Sequence, residues 1–148
     1  MSLNDRLMAD LKDAMKQRDE LRVSAIRMAR AAITNERIEK QKELDDNEIV
    51  AVLSRLVKQR RESIEAFSKG NRPDLVAKEQ RELEILLSYM PAQMSRDEIA
   101  EAARAAIAQV GATGTADFGK VMSRLAPELK GRAEGKVISE VVRELLAK

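Results

Sequence analysis

The sequence predicts an all-α protein: an N-terminal helical region containing an antiparallel helical hairpin, followed by a C-terminal three-helix domain. Three observations carry this expectation. Apolar residues recur at intervals of three and four along most of the chain, the spacing that gathers them on one helix face. Only 6 glycines and 3 prolines interrupt 148 residues, and most fall between the periodic stretches. No run of alternating β-branched residues marks a strand, and no internal repeat or low-complexity segment is present.

The elements follow in order. Leu3, Leu7, Met8, Leu11, Ala14 and Met15 predict a first helix from Leu3 to about Lys16. Around Asp19 it breaks, and Leu21, Ala25, Met28, Ala29 and Ala32 form the narrow stripe of a second helix, with Arg27, Arg30 and Arg37 projecting from another face. Asp45 with Glu48 three residues later is a capping-box pattern and starts a third helix, whose stripe is Ile49, Val50, Leu53, Leu56, Val57, Ile64 and Phe67. Gly70 suits a C-terminal cap, and Pro73 suits the first turn of a fourth helix carrying Leu75, Val76, Leu83, Leu86, Leu87 and Met90.

Arg60 and Glu79 lie inside these two apolar stripes, at similar distances on either side of Gly70 and Asn71. An antiparallel hairpin sets them opposite one another, so a partly buried ion pair is predicted. Its expected role is register, because a buried charge left without its partner costs about 3–5 kcal/mol while the intact pair adds little.

Pro91 ends this region, and Ser95 with Glu98 repeats the capping-box pattern. The expected organisation is residues 1–90 as an N-terminal helical domain, 91–94 as a linker and 95–148 as a three-helix domain. Ile99, Ala103, Ala106, Ile107 and Val110 predict one helix of that domain, Val121, Met122 and Leu125 the next, and Val137 to Leu146 the last. "GATGTADFGK" lacks the strand and the Lys-Ser/Thr ending of a phosphate loop. It reads as a turn, with Thr113 or Thr115 capping the helix that follows.

Composition narrows the chemistry. With no Cys and no His, the chain offers no thiolate nucleophile, no imidazole base, no Cys/His zinc site and no disulfide. Ser24, Ser63 and Ser139 stand alone within predicted helices, without a nucleophile elbow. Asp45, Asp46 and Glu48 lack the alternation of a calcium loop. No catalytic, cofactor-binding or metal-ligating residue is expected, and the absence of cysteine, leader and any apolar run near the roughly 20 residues of a membrane span predicts a soluble, cytoplasmic protein without a membrane partner.

The formal charge of +2 divides evenly at Ser95, so a nucleic-acid surface has to arise from local sorting of charge. "GKVMSRLAPELKGRAEGK" gathers Lys120, Arg124, Lys130, Arg132 and Lys136 around glycines and a proline. Two accounts stand open. Pro127 and Gly131 end one helix and the basic side chains solvate the turn, or the same side chains converge on phosphates. Aromatic residues are only 2% of the chain, which disfavours base stacking and leaves a backbone-contacting, shape-reading mode.

"YMPAQMS" followed by "DFGKVMSRLAPELKGRAEGKVISEVVRELL" resembles the C-terminal tail domain of the GatB component of the glutamine-dependent aspartyl/glutamyl-tRNA amidotransferase. The whole chain, including "KQRRESIEAF", resembles the stand-alone members of the GatB/YqeY family. In place of the usual residues stand Met90 and Met94, where leucine is common, and Glu134, where aspartate is expected.

The resemblance implies two helical parts and a tail that touches tRNA. With that tail in view, Lys120, Arg124, Lys130, Arg132 and Lys136 are expected to contact phosphates, and Arg27 and Arg30, on the basic side of the second helix, form a weaker second patch. The resemblance brings the label of a carbon–nitrogen ligase using glutamine as amido donor, but the catalytic body of the amidotransferase has no counterpart in the chain. The expected function is a non-catalytic tRNA-binding accessory. The alternative is a module that docks on an amidotransferase or aminoacyl-tRNA synthetase complex.

Overall fold

The computed structural model describes residues 2–148, and those residues hold helices and no strand. Seven α-helices follow one another among them: α1 (Leu3–Lys16), α2 (Glu20–Lys40), α3 (Asp46–Lys69), α4 (Pro73–Leu87), α5 (Arg96–Val110), α6 (Phe118–Leu129) and α7 (Gly135–Leu146), with a single 3₁₀ turn, Thr115–Asp117, before α6. The chain divides into two units, Met1–Met90 and Pro91–Lys148.

Local chemistry explains most helix ends. Ser2, Asp19, Asp45 and Ser95 each accept a backbone N–H at the start of a helix, and the reciprocal glutamate bond completes the box at Asp45/Glu48 and at Ser95/Glu98. Pro73 occupies the first turn of α4. Gly70 does end α3, but with φ −81°; Asn71 takes the left-handed conformation instead, at φ 56°. Asparagine tolerates that region because its short polar side chain bonds locally. Neither Thr113 nor Thr115 caps α6: the Asp117 carboxylate accepts from the Thr113 N–H at 2.9 Å and tightens the turn itself.

In the first unit, Leu7 of α1, Ile26 of α2, Leu53 of α3 and Leu86 of α4 meet in a fully buried core. Two expectations shift here. Met8 and Met15 are 39% and 50% exposed, because the α1 stripe is completed by Leu3, Leu7, Leu11 and Ala14 alone. The buried stripe of α2 is Ala25, Ile26, Ala29 and Ile33. Along this alanine-rich helix two neighbouring stripes are nearly equal in hydrophobicity, and the one carrying the larger isoleucines buries more apolar surface.

The hairpin of α3 and α4 brings Arg60 to Glu79 at 3.0 Å, as its register requires. The same Arg60 Nη1 also donates to Glu82, at 3.1 Å. Glu82 is 3% exposed and is the one buried charged residue among those described.

In the second unit Val121, Leu125 and Val142 are fully enclosed by Ile99, Ala103, Ala106, Ile138 and Val141. Pro127 does not end α6 as expected; it lies inside the last turn, and the helix runs on to Leu129. Pro127 removes one N–H donor to Ser123, but both residues are exposed, so water satisfies the carbonyl that is left. The stop comes at Gly131, whose φ of 82° is a conformation glycine adopts without strain.

Candidate nucleic-acid interface

The turn between α6 and α7 is held from two sides. Arg132 and Ala133 both donate their N–H groups to the Leu129 carbonyl, at 2.9 and 3.2 Å. Residues 91–94, expected to be a linker, lie in this unit and bond to the same turn. Met94 N–H donates to Arg132 O at 2.9 Å, Gln93 Nε2 donates to Gly131 O at 2.8 Å, and Arg132 Nε donates to Ala92 O at 3.3 Å. Side chains on this turn are therefore presented from a fixed backbone.

The five basic residues singled out in the sequence are all exposed, but they are not equivalent. Lys130, Arg132 and Lys136 sit on or just beyond the turn, Lys136 in the first turn of α7. Lys120 lies near the start of α6, and the ten-position separation from Lys130 spans about 15 Å at the helical rise of 1.5 Å per residue. Lys120, Arg124 and Glu128 are spaced i, i+4 along one exposed stripe beside the buried Val121, Leu125 and Leu129.

Their charges are spent differently as well. Arg124 Nε donates to Gln109 at 3.0 Å and lies 3.6 Å from Glu128. Both members of that pair are more than half exposed, so the pairing is worth little and yields to a competing anion. Among the described residues Lys120, Lys130 and Lys136 have no ion pair or side-chain hydrogen bond. Gln93 was missed in the sequence because its role is to reach a carbonyl 38 residues away, and the motif "YMPAQMS" was its one signal.

In the first unit Arg27 and Arg30 follow one another at i, i+3 on α2 but differ in burial. Arg27 is exposed, whereas Arg30 is half-buried and lines a small cavity with Arg37. The aromatic residues form no row for successive bases: Tyr89 is buried, Phe67 is half-buried, and Phe118 lies under the Arg143 guanidinium at 4.6 Å. Among the described residues no group of three or more acidic side chains is arranged to hold a metal, and no helix is long and apolar enough to cross a membrane.

Comparison with known proteins decides the lineage. The profile of the family described as "Yqey-like protein" matches residues 4–146. The chain belongs to the Yqey-like family. Its relatives include the "Altered inheritance of mitochondria protein 41, mitochondrial" of Eremothecium gossypii, 38% identical over 81% of this chain and 68% of that protein. The like-named protein of Pyrenophora tritici-repentis is 31% identical over 95% of this chain and 79% of its own length. For the Lachancea thermotolerans protein of the same name, identity is 44% over 57% of this chain, which spans 46% of that longer relative. These names correct the cytoplasmic expectation for this Yqey-like chain. The relatives are named as mitochondrial proteins, which points away from the cytosol. The lack of cysteine that prompted the expectation excludes disulfides and does not choose a compartment. None of these relatives is named as part of an amidotransferase.

Proposed function

We propose that this Yqey-like protein is a non-catalytic accessory that binds folded RNA, tRNA first among candidates, through phosphate contacts of its C-terminal unit. The observation that supports this most is the fixed turn bearing Lys130, Arg132 and Lys136, two of them lysines with no internal partner. Unspent, preorganised cations contact phosphates without first losing an internal bond. Lys120 and Arg124 extend the surface along α6, a spread suited to the repeated phosphates of a folded backbone rather than to one small anion. The scarcity of aromatic rings favours shape and backbone over base stacking. Arg27 is at most an added contact, and Arg30, its i+3 neighbour on α2, is half-buried.

The test is binding of tRNA across a salt series. With about five phosphates engaged, log affinity falls against log salt with a slope near −3.5 to −4.5. The double substitution Lys130→Ala and Arg132→Ala weakens binding and reduces the slope by about two contacts, with helicity unchanged. An affinity independent of salt would sink the proposal, and capture of a protein complex that survives nuclease and high salt would favour docking instead. Glutamine turnover by the purified chain would overturn its non-catalytic part.

A further inference from the structure

We infer that the first unit carries a separate pocket for a phosphate group, built by Arg30, Thr34 and Arg37 of α2 against Asn4 of α1. The cavity measures about 120 Å³. That is room enough for a tetrahedral oxyanion. Arg30, Thr34 and Arg37 are spaced i, i+4 and i+7, which puts a guanidinium, a hydroxyl and a second guanidinium on one face of α2. The floor is apolar, formed by Ile33 at 7% and Ile49 at 2% exposure.

The wall opposite α2 is fixed. Leu3 N–H donates to Asp46 Oδ1 at 3.1 Å, tying the first turn of α1, and with it Asn4, to the first turn of α3. Among the described residues the side chains of Asn4, Arg30 and Thr34 make no hydrogen bond or ion pair, so a row of donors faces the cavity unspent.

Among the residues lining the pocket one is acidic. Glu43 lines the pocket and its Oε1 lies 3.4 Å from Arg37 Nη1. With Arg37 45% and Glu43 83% exposed, this pair is weak and exchangeable. Glu43 thus occupies Arg37 in place of an external oxyanion and leaves when one binds. A phosphate in the pocket takes the fork of Arg37, the guanidinium of Arg30 and the Thr34 hydroxyl, a donor set matched to phosphate geometry. This inference does not rest on RNA binding by the C-terminal unit, and the Lys130/Arg132 double variant leaves it untouched.

The experiment is an NMR titration of arginine Nε–H resonances in the full chain, with inorganic phosphate and with adenosine monophosphate as probes and chloride holding ionic strength constant. Saturable shifts of Arg30 and Arg37 are expected. Arg30→Gln weakens binding by about tenfold or more, the loss of a charged hydrogen bond. Glu43→Gln, which removes an exposed competitor and leaves the core alone, tightens it. Saturation by both probes assigns the pocket to phosphomonoesters, and saturation by inorganic phosphate alone assigns it to the free ion. Linear shifts equal to those in chloride would overturn the site, as would saturation unchanged in Arg30→Gln or weakened in Glu43→Gln.

Discussion

In the first unit the helical hairpin buries Arg60 between Glu79 and Glu82, whereas the core of the second unit among the described residues is aliphatic throughout. Both units also carry exposed ion pairs, among them Arg72–Asp74 in the first and Arg96–Glu144 in the second, and among the described residues Lys120, Lys130 and Lys136 of the second have none. One charge cluster of the first unit, Arg60 with Glu79 and Glu82, is turned inward to specify packing. In the second unit no such cluster is buried among the described residues, and its charge stays on the surface, where it is available to a ligand. The same residue types therefore carry different meanings on either side of Pro91.

The strongest way to break this comparison is to remove Arg60. Arg60→Ala strands two carboxylates, one of them almost fully buried, and is expected to destabilise the first unit by about 3–5 kcal/mol. Tyr89 fluorescence in urea reads that unit, and amide hydrogen exchange shows the α5–α7 amides unaffected. Replacing Arg60, Glu79 and Glu82 together with Met, Leu and Leu restores most of the loss if the cluster serves register more than stability. A small effect of Arg60→Ala alone would show that water reaches the carboxylates and that the unit does not depend on an internal charge.

The matching test in the second unit is Leu125→Ala. Leu125 is fully buried with only aliphatic neighbours in its core, so the loss is one of transfer and cavity, about 2–5 kcal/mol. Exchange protection collapses in α5, α6 and α7 and holds in α1 to α4. Because Leu125 adjoins the Lys120–Arg124 stripe without belonging to it, the variant at temperatures where it stays folded keeps the salt slope of RNA binding.

Much of this contrast could be read from the chain, and the gaps have physical causes. Arg60 and Glu79 were legible as a pair because an antiparallel hairpin is symmetric about its turn. Glu82 was not, since it precedes Leu83 and falls outside the apolar stripe drawn through α4. The helix starts at Asp45 and Ser95 were visible because capping is local chemistry. The end of α6 was misplaced because proline is tolerated in a solvated last turn. The five basic residues were visible as sequence neighbours, but the division between Lys120 and the turn is a matter of helix length. Spending of the Arg132 guanidinium on Ala92 O depends on a contact spanning 40 residues. The phosphate pocket shows the same limit. Arg30 and Arg37 were seen to share a face, but Asn4 joins them only through the Leu3–Asp46 bond.

Smaller effects distinguish the two units by pH. At high pH the first unit responds through Tyr89: burial, then its bond to Asp10 at 2.5 Å, raises its ionisation above the ordinary value. The unfolded chain ionises first, near pH 10, so the stability from this tyrosine is whole below that pH and declines as pH rises further. Tyr89→Phe removes this alkaline decline in the first unit, and a decline of equal size in Tyr89→Phe would assign it to other groups.

At low pH the capping boxes act in both units. The Ser95 N–H and hydroxyl hold Glu98 below the ordinary carboxylate range, and the Asp45 N–H, with Lys42, does so for Glu48. The unfolded chain takes up these protons first, so the contribution is whole above about pH 4.3 and is lost as pH falls through the lower folded values. Ser95→Ala costs about 1 kcal/mol in the second unit by removing the hydroxyl acceptor of the Glu98 N–H. It leaves the Ser95-position N–H to bond Glu98, so most of the acid-side slope persists. Glu98→Gln does the reverse, since the amide oxygen still accepts that N–H at neutral pH but no longer titrates. Thermal midpoints of the second unit, followed by hydrogen exchange from pH 6 to pH 3, separate the two substitutions. An acid slope unchanged in Glu98→Gln would show that the box stabilises this helix start by geometry alone, without the charge that the fold places there.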